Sequence, residues 1–226
     1  MDLQWVVFDL NGTVLDPAPI SRSLPDPFND AATAHDLLHE TIFQSMADTL
    51  VGRHQPFTDY LAAVLAHRLM LAGQPEAEIY ACVERAVTAA GELPAYPEAA
   101  QAMAVLADAG LRIATITNSP TATAEHALTA AGLRDRFERV VGSDTCEAYK
   151  PAPAVYANGL ARIGVAAEHA CMVAAHGWDL LGAGHAGMRT AWVGRGERYR
   201  IATLPTPDVS GDDLLDVARQ IVAAAG

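Results

Sequence analysis

Residues 5–16 read WVVFDLNGTVLD, and this stretch decides the fold. Trp5, Val6, Val7 and Phe8 form an unbroken apolar run, the pattern of a strand buried on both faces. The run delivers one carboxylate, Asp9, into a turn marked by Gly12 and Thr13, and Asn11 sets an amide two places beyond it. The arrangement raises a chemical question: what reaction uses one carboxylate at the end of a buried strand with an amide beside it?

Outward from this strand the pattern changes twice. Residues 16–30, DPAPISRSLPDPFND, carry Pro17, Pro19, Pro25 and Pro27 and cannot be helical for long. From about Ala31 to Gly91, apolar residues recur every three or four positions in three segments, with stops at Gly73 and Gly91. Beyond ELPAYPEA, helical segments alternate with RIATITN, FERVVGS, ACMVAA and RTAWVGR, and an amphipathic helix from about Asp212 to Ala225 closes the chain. Strands alternating with helices imply βαβ units and a parallel sheet. The expected fold is therefore α/β: a Rossmann-like parallel-sheet core, residues 1–14 and 95–226, with an all-helical cap, residues 15–94, inserted after the first strand.

Ligands of such sheets bind beyond the carboxyl ends of the strands. The polar residues just past those ends are Asp9, Asn11 and Thr13; Thr117 and Asn118; Lys150; and His176 and Asp179. Topology alone thus brings two carboxylates, a lysine, a histidine and several hydroxyl or amide groups towards one place.

Composition narrows the partners. The 226 residues carry a formal charge of -12, which argues against duplex nucleic acid but allows a small anion in a locally positive pocket. Cys82, Cys146 and Cys171 are odd in number and widely spaced, so neither a disulfide framework nor a zinc site is expected. No apolar run approaches the roughly 18–20 residues that span a bilayer, and the N-terminus lacks the basic-then-apolar order of a signal peptide. A cytoplasmic setting without membrane contact is expected.

Read together, these residues resemble the haloacid dehalogenase superfamily over the whole chain. Asp9-Leu10-Asn11-Gly12-Thr13 is similar to its first motif, Thr117-Asn118 to the second, Lys150-Pro151 to the third and Asp179 to the fourth. Within it, YKPAPAVY, ITNSP and AAHGWDLLGAGHAGMRTAWVGR look like the type II dehalogenases, which act on 2-haloacids. The resemblance implies a carboxylate nucleophile, an ester intermediate hydrolysed by water, and no cofactor. A phosphatase of this architecture needs Mg²⁺ and a general acid two residues after the nucleophile. Here that residue is Asn11, and one of the expected metal-binding carboxylates is replaced by Ala175. Halide leaves without a proton, so one free carboxylate suits displacement at carbon.

The roles implied are these. Asp9 is the nucleophile and Lys150 orients it, an adjacent cation favouring the charged carboxylate. Thr117, Asn118 and the backbone near Leu10 and Asn11 hold substrate carboxylate and halide, with Thr13, Tyr156 and Trp178 lining the place. His176, with Asp179, activates the hydrolytic water. The cap arginine that usually helps bind halide aligns with Gln44, and a usual serine and asparagine of the last motif are Ala174 and His176. Phe43, Met46, Phe57 and Tyr60 are the cap residues expected to shape a pocket. A homodimer remains open, as do a Mg²⁺-dependent phosphatase and a non-catalytic binder of a carboxylate or protein.

Overall fold

The computed structural model describes residues 2–195 and 201–225. Its centre is a six-stranded parallel sheet: β1 (Trp5–Phe8), β2 (Arg112–Ile116), β3 (Arg139–Val141), β4 (Ala170–Ala174), β5 (Arg189–Val193) and β6 (Val209–Gly211), in the order β3-β2-β1-β4-β5-β6. The sequence reading foresaw the first five. β6 escaped it because VSG is short, polar in the middle and at the sheet edge.

β1 is central, paired with β2 on one side and β4 on the other. Strand order reverses there, and the two flanking connections diverge to leave a crevice at its carboxyl end. Side chains of β1 alternate between faces, as a pleat requires. Val6 and Phe8 join the larger core with Met103, Leu106 and Val217, while Trp5 and Val7 join the second with Tyr156, Leu160 and Leu180. Helices cover the two faces: α5 (Ala99–Asp108), α6 (Thr121–Ala130) and α9 (Leu214–Ala225) contribute to the first core, and α7 (Pro153–Ile163) and α8 (Gly177–His185) to the second.

Four helices stand between β1 and α5: α1 (Ala18–Arg22), α2 (Ala31–Leu50), α3 (Phe57–Leu71) and α4 (Glu76–Ala90). They form the helical cap. The prolines confine the linker to the five-residue α1, whose first turn tolerates a missing N–H. Asp30 starts α2 by accepting a hydrogen bond from Thr33 N at 2.7 Å. The chain leaves the sheet and returns to it side by side: Asp16 N donates to Pro94 O and Tyr96 N to Val14 O. The cap packs down on the core through Leu38, Ile42, Phe57 and Tyr60, which surround Tyr149.

Among the described residues, no helix is long and apolar enough to cross a membrane. The three cysteines are free thiols.

Candidate active site

The turn after β1 is closed by the Leu10 carbonyl, which accepts from the N–H groups of Thr13, Val14 and Leu15. Gly12 lies at φ +82°, a left-handed conformation that strains other residues. A Cβ there would also stand 3.0 Å from His176 Nε2. Glycine is thus needed twice, for the turn and for the imidazole that packs on it.

The turn aims Asp9 into the crevice, where its two oxygens are held differently. Lys150 Nζ donates to Oδ1 at 3.1 Å, and Thr13 Oγ1 donates to Oδ2 at 2.8 Å. Thr13 is fixed in turn by Ala175 N, 2.9 Å away. Lys150 is fully buried and bridges to Asp179 Oδ2 at 2.8 Å. Burial alone would drive its proton off, but Asp179 and Asp9 more than compensate and raise its pKa above the ordinary lysine value. Burial pushes Asp179 up, and the adjoining ammonium pulls it back. An ammonium between two carboxylates is the arrangement that satisfies all three.

Tyr156 Oη donates to Asp179 Oδ1 at 2.7 Å. Burial and the neighbouring carboxylate push this phenol well above its ordinary range, so it remains a donor. Tyr156 was expected at the substrate, and the structure corrects this. It is fully buried behind Asp179, because α7 and α8 approach so closely that a Cβ on Gly182 would lie 2.6 Å from its ring.

Asn118 accepts from Lys150 N at 3.0 Å through Oδ1, which leaves its amide N–H₂ to face the cavity it lines. Thr117 Oγ1 accepts from Ser119 N at 3.2 Å and lines the same cavity. Asn11 Nδ2 donates to Ser119 Oγ at 3.3 Å. Ser119 was not foreseen, although its place directly after Thr117-Asn118 was a usable signal. His176 Nε2 stands 3.1 Å from the Asn11 carbonyl and 3.8 Å from Asp9 Oδ2, with its ring stacked on Trp178 at 5.3 Å between centroids.

The cavity over Asp9 is closed on the cap side by Leu38, Ile42 and Phe57 and on the core side by Trp178. Its volume is about 10 Å³, room for about one water. Of the expected cap residues, Phe57 alone lines it. Phe43 is 65% exposed, Tyr60 bonds Asp48 at 2.9 Å, and Met46 packs with Tyr60 and Tyr149. Gln44 is a second correction. The buried stripe of α2 runs through Ala34, Leu37, Leu38, Thr41, Ile42 and Ser45, so Gln44 points outward beside Glu40 and His67. Arg68 is tied to Glu40 at 2.6 Å, and Arg53 lies near Asp48 at 3.6 Å.

A Mg²⁺ site of the phosphatase kind does not fit these residues. Asp179 has both oxygens engaged by Lys150 and Tyr156, and Ala175 brings no carboxylate: its N–H is given to Thr13 and its carbonyl accepts from Trp192 Nε1 at 3.3 Å.

The profile of the haloacid dehalogenase-like hydrolases matches residues 3–187. The chain belongs to this family. Among curated members of the haloacid dehalogenase-like hydrolases, it is 29% identical to (S)-2-haloacid dehalogenase 4A of Burkholderia cepacia over 85% of this chain and 84% of that relative. It is 27% identical to the phosphoglycolate phosphatase of Colwellia psychrerythraea over 86% and 85%. The L-2-haloacid dehalogenase from Xanthobacter autotrophicus with chloropropionic acid covalently bound superposes at a TM-score of 0.84, covering 97% of this chain and 98% of that one. At 24% identity that last likeness is one of fold.

Proposed function

We propose that this chain is a hydrolytic dehalogenase of small 2-haloacids, working without a metal through an ester on Asp9. One observation carries the reading. A single carboxylate is oriented by Lys150 and Thr13 towards a cavity with apolar walls and amide or hydroxyl donors, and Asn11 occupies the place of a phosphatase's acid. The (S)-2-haloacid dehalogenases among the relatives support it.

An oxygen of Asp9 attacks the halogen-bearing carbon from the side opposite the halogen. The carbon–oxygen bond forms as the carbon–halogen bond breaks, and its electron pair departs with the halide. Thr117 and the Asn118 amide serve as donors to the anionic groups. Displacement inverts the carbon. Water then attacks the ester carbonyl, and the 2-hydroxyacid leaves with Asp9 restored.

Asp179 does not meet that water, since it is fully buried and both its oxygens are bonded. His176 borders the cavity and is the group that takes the proton. For this its ring gives up the Asn11 carbonyl, a hydrogen bond worth about 0.5–1.5 kcal/mol net. His176→Ala should accumulate an Asp9 ester, seen as added mass on the intact protein. Unchanged turnover would remove His176 from the mechanism.

The space over Asp9 has room for about one water, so we infer that the cap shifts to admit a haloacid, about the paired crossings at Val14–Asp16 and Pro94–Tyr96. Spin labels on α3 and α9 should report a distance that changes with substrate; a constant distance would argue for a fixed cap. Free thiols fit a reducing cytoplasm.

The deciding experiment is chloride release from (S)- and (R)-2-chloropropionate and chloroacetate in EDTA. Release from the (S) enantiomer, lost in Asp9→Asn, is expected. No chloride from any of them would overturn the reading, and turnover of a phosphomonoester only with Mg²⁺ would replace it with the phosphatase.

A further inference from the structure

A second cavity, of about 280 Å³, lies against the same turn on the other side of His176. Its cap wall carries His35, Asp36 and His39 from α2, and its core wall is Gly12, Ala175 and His176. His35 and His39 are four residues apart and so share a helix face. His39 meets His176 edge-on with centroids 5.8 Å apart. His176 also lines the cavity over Asp9, so its ring is the partition between the two spaces.

The charges around this partition are unequal. Asp9, Lys150 and Asp179 form a buried group with two carboxylates and one ammonium. Among the described residues, no arginine or lysine lines either cavity, and the cap's Arg53 and Arg68 face Asp48 and Glu40. An anion approaching a chain of net charge -12 therefore meets positive charge here only when the imidazoles hold protons.

We propose that the cleft between α2 and the Gly12 turn is a binding site for a small monoanion, a carboxylate or a halide, charged by protonation of His35 and His39. It rests on the dehalogenase reading only for which anions it meets in turnover. An incoming haloacid is drawn there before the cap opens, or the departing halide is held there after displacement.

His35 is half-buried, and burial, with the charge of His176, holds it below the ordinary imidazole range, against smaller opposing effects of Asp16 and Asp36. An anion reverses that balance, so binding takes up a proton. Affinity rises as pH falls, and above the titration range it drops about tenfold per pH unit for each proton linked. Asp36 competes with an incoming anion for the same imidazolium charge, which weakens the site while the imidazoles are protonated.

The test uses probes that do not react. Sodium bromide and sodium propionate are titrated separately into the full chain, at about pH 6 and about pH 8.5, on either side of the ordinary imidazole range. Histidine side-chain NMR resonances are followed. Saturable shifts of His35 and His39 at the lower pH, with affinity at least about tenfold weaker at the higher, are expected. Bromide alone binding identifies a halide site, and propionate alone a carboxylate site. The double variant His35→Gln, His39→Gln should lose the binding, while His39→Arg should keep it and flatten its pH dependence. No saturable shift with either salt, or undiminished binding in the double variant, would overturn the proposal. Anion binding without chloride release from any 2-haloacid would sink the dehalogenase reading and leave this site standing; the opposite pair of results would sink this site alone.

Discussion

The two sides of the crevice are built on opposite terms. On the core side nearly every polar atom has a partner: Lys150 reaches Asp9 and Asp179, Tyr156 reaches Asp179, Thr13 reaches Asp9 and Ala175 N reaches Thr13. On the cap side, Leu38, Ile42 and Phe57 touch the cavity through apolar surface, and His39 is exposed. The core side has one low-energy arrangement, because a buried charge left unpaired is costly. The cap side tolerates displacement and substitution, because dispersion and burial are not directional. The polar groups of the site therefore sit at the strand ends of the core, and the cap adds apolar walls.

The sharpest way to break this contrast is at Lys150. Lys150→Met removes one partner from a buried charge cluster and should cost about 3–5 kcal/mol of stability as well as all turnover, read from urea unfolding. The sign of the pH effect follows from the raised pKa of Lys150. A raised folded-state value means a contribution fully present below the ordinary value of 10.5 and lost as pH rises through the folded one. The stability gap between wild type and Lys150→Met should therefore stay level through neutral pH and shrink only in alkali. A gap that shrinks near pH 7 would mean that Lys150 is not held charged.

Tyr156→Phe removes one hydrogen bond to a buried carboxylate and should cost about 1.5–3 kcal/mol. A loss of that size with substrate affinity unchanged would confirm Tyr156 as a support of Asp179 rather than a substrate contact. Gly12→Ala should cost about 1–2 kcal/mol from its left-handed conformation, and by pressing on His176 it should slow ester hydrolysis more than halide release. The two steps separate in a rapid-quench experiment. Gln44→Ala, on the outward face of α2, should stay within about 0.5 kcal/mol of wild type and leave turnover unchanged. A large loss there would restore a cap residue that the structure places away from the cavity.

Much of the core side was legible in the sequence, because strand ends, turns and a parallel topology are local signals with one common outcome. Asp9, Thr13, Thr117, Asn118, Lys150, His176 and Asp179 were all named from their places after predicted strands, and all meet at the carboxyl end of β1 and its neighbours. The cap side was far less legible. Gln44 comes from alignment alone, and a 3.6-residue period, which moves each successive side chain by about 100°, sets it on the outward face of α2. His35 and His39 carried a usable i, i+4 signal, yet nothing along the chain says that their face meets Gly12 and His176.

The linear order of residues determined the parallel α/β core, the inserted helices and the set of polar groups gathered after the strands. Their spacing along the chain, together with the handedness of βαβ crossovers, leaves few alternatives. Only the tertiary structure decided that Tyr156 lies behind Asp179 and that His176 separates two cavities. It alone decided that the cap closes over Asp9 with Leu38, Ile42 and Phe57. These depend on the rotation and depth at which one packed helix meets another surface, which side-chain volumes set in three dimensions and sequence periodicity does not record.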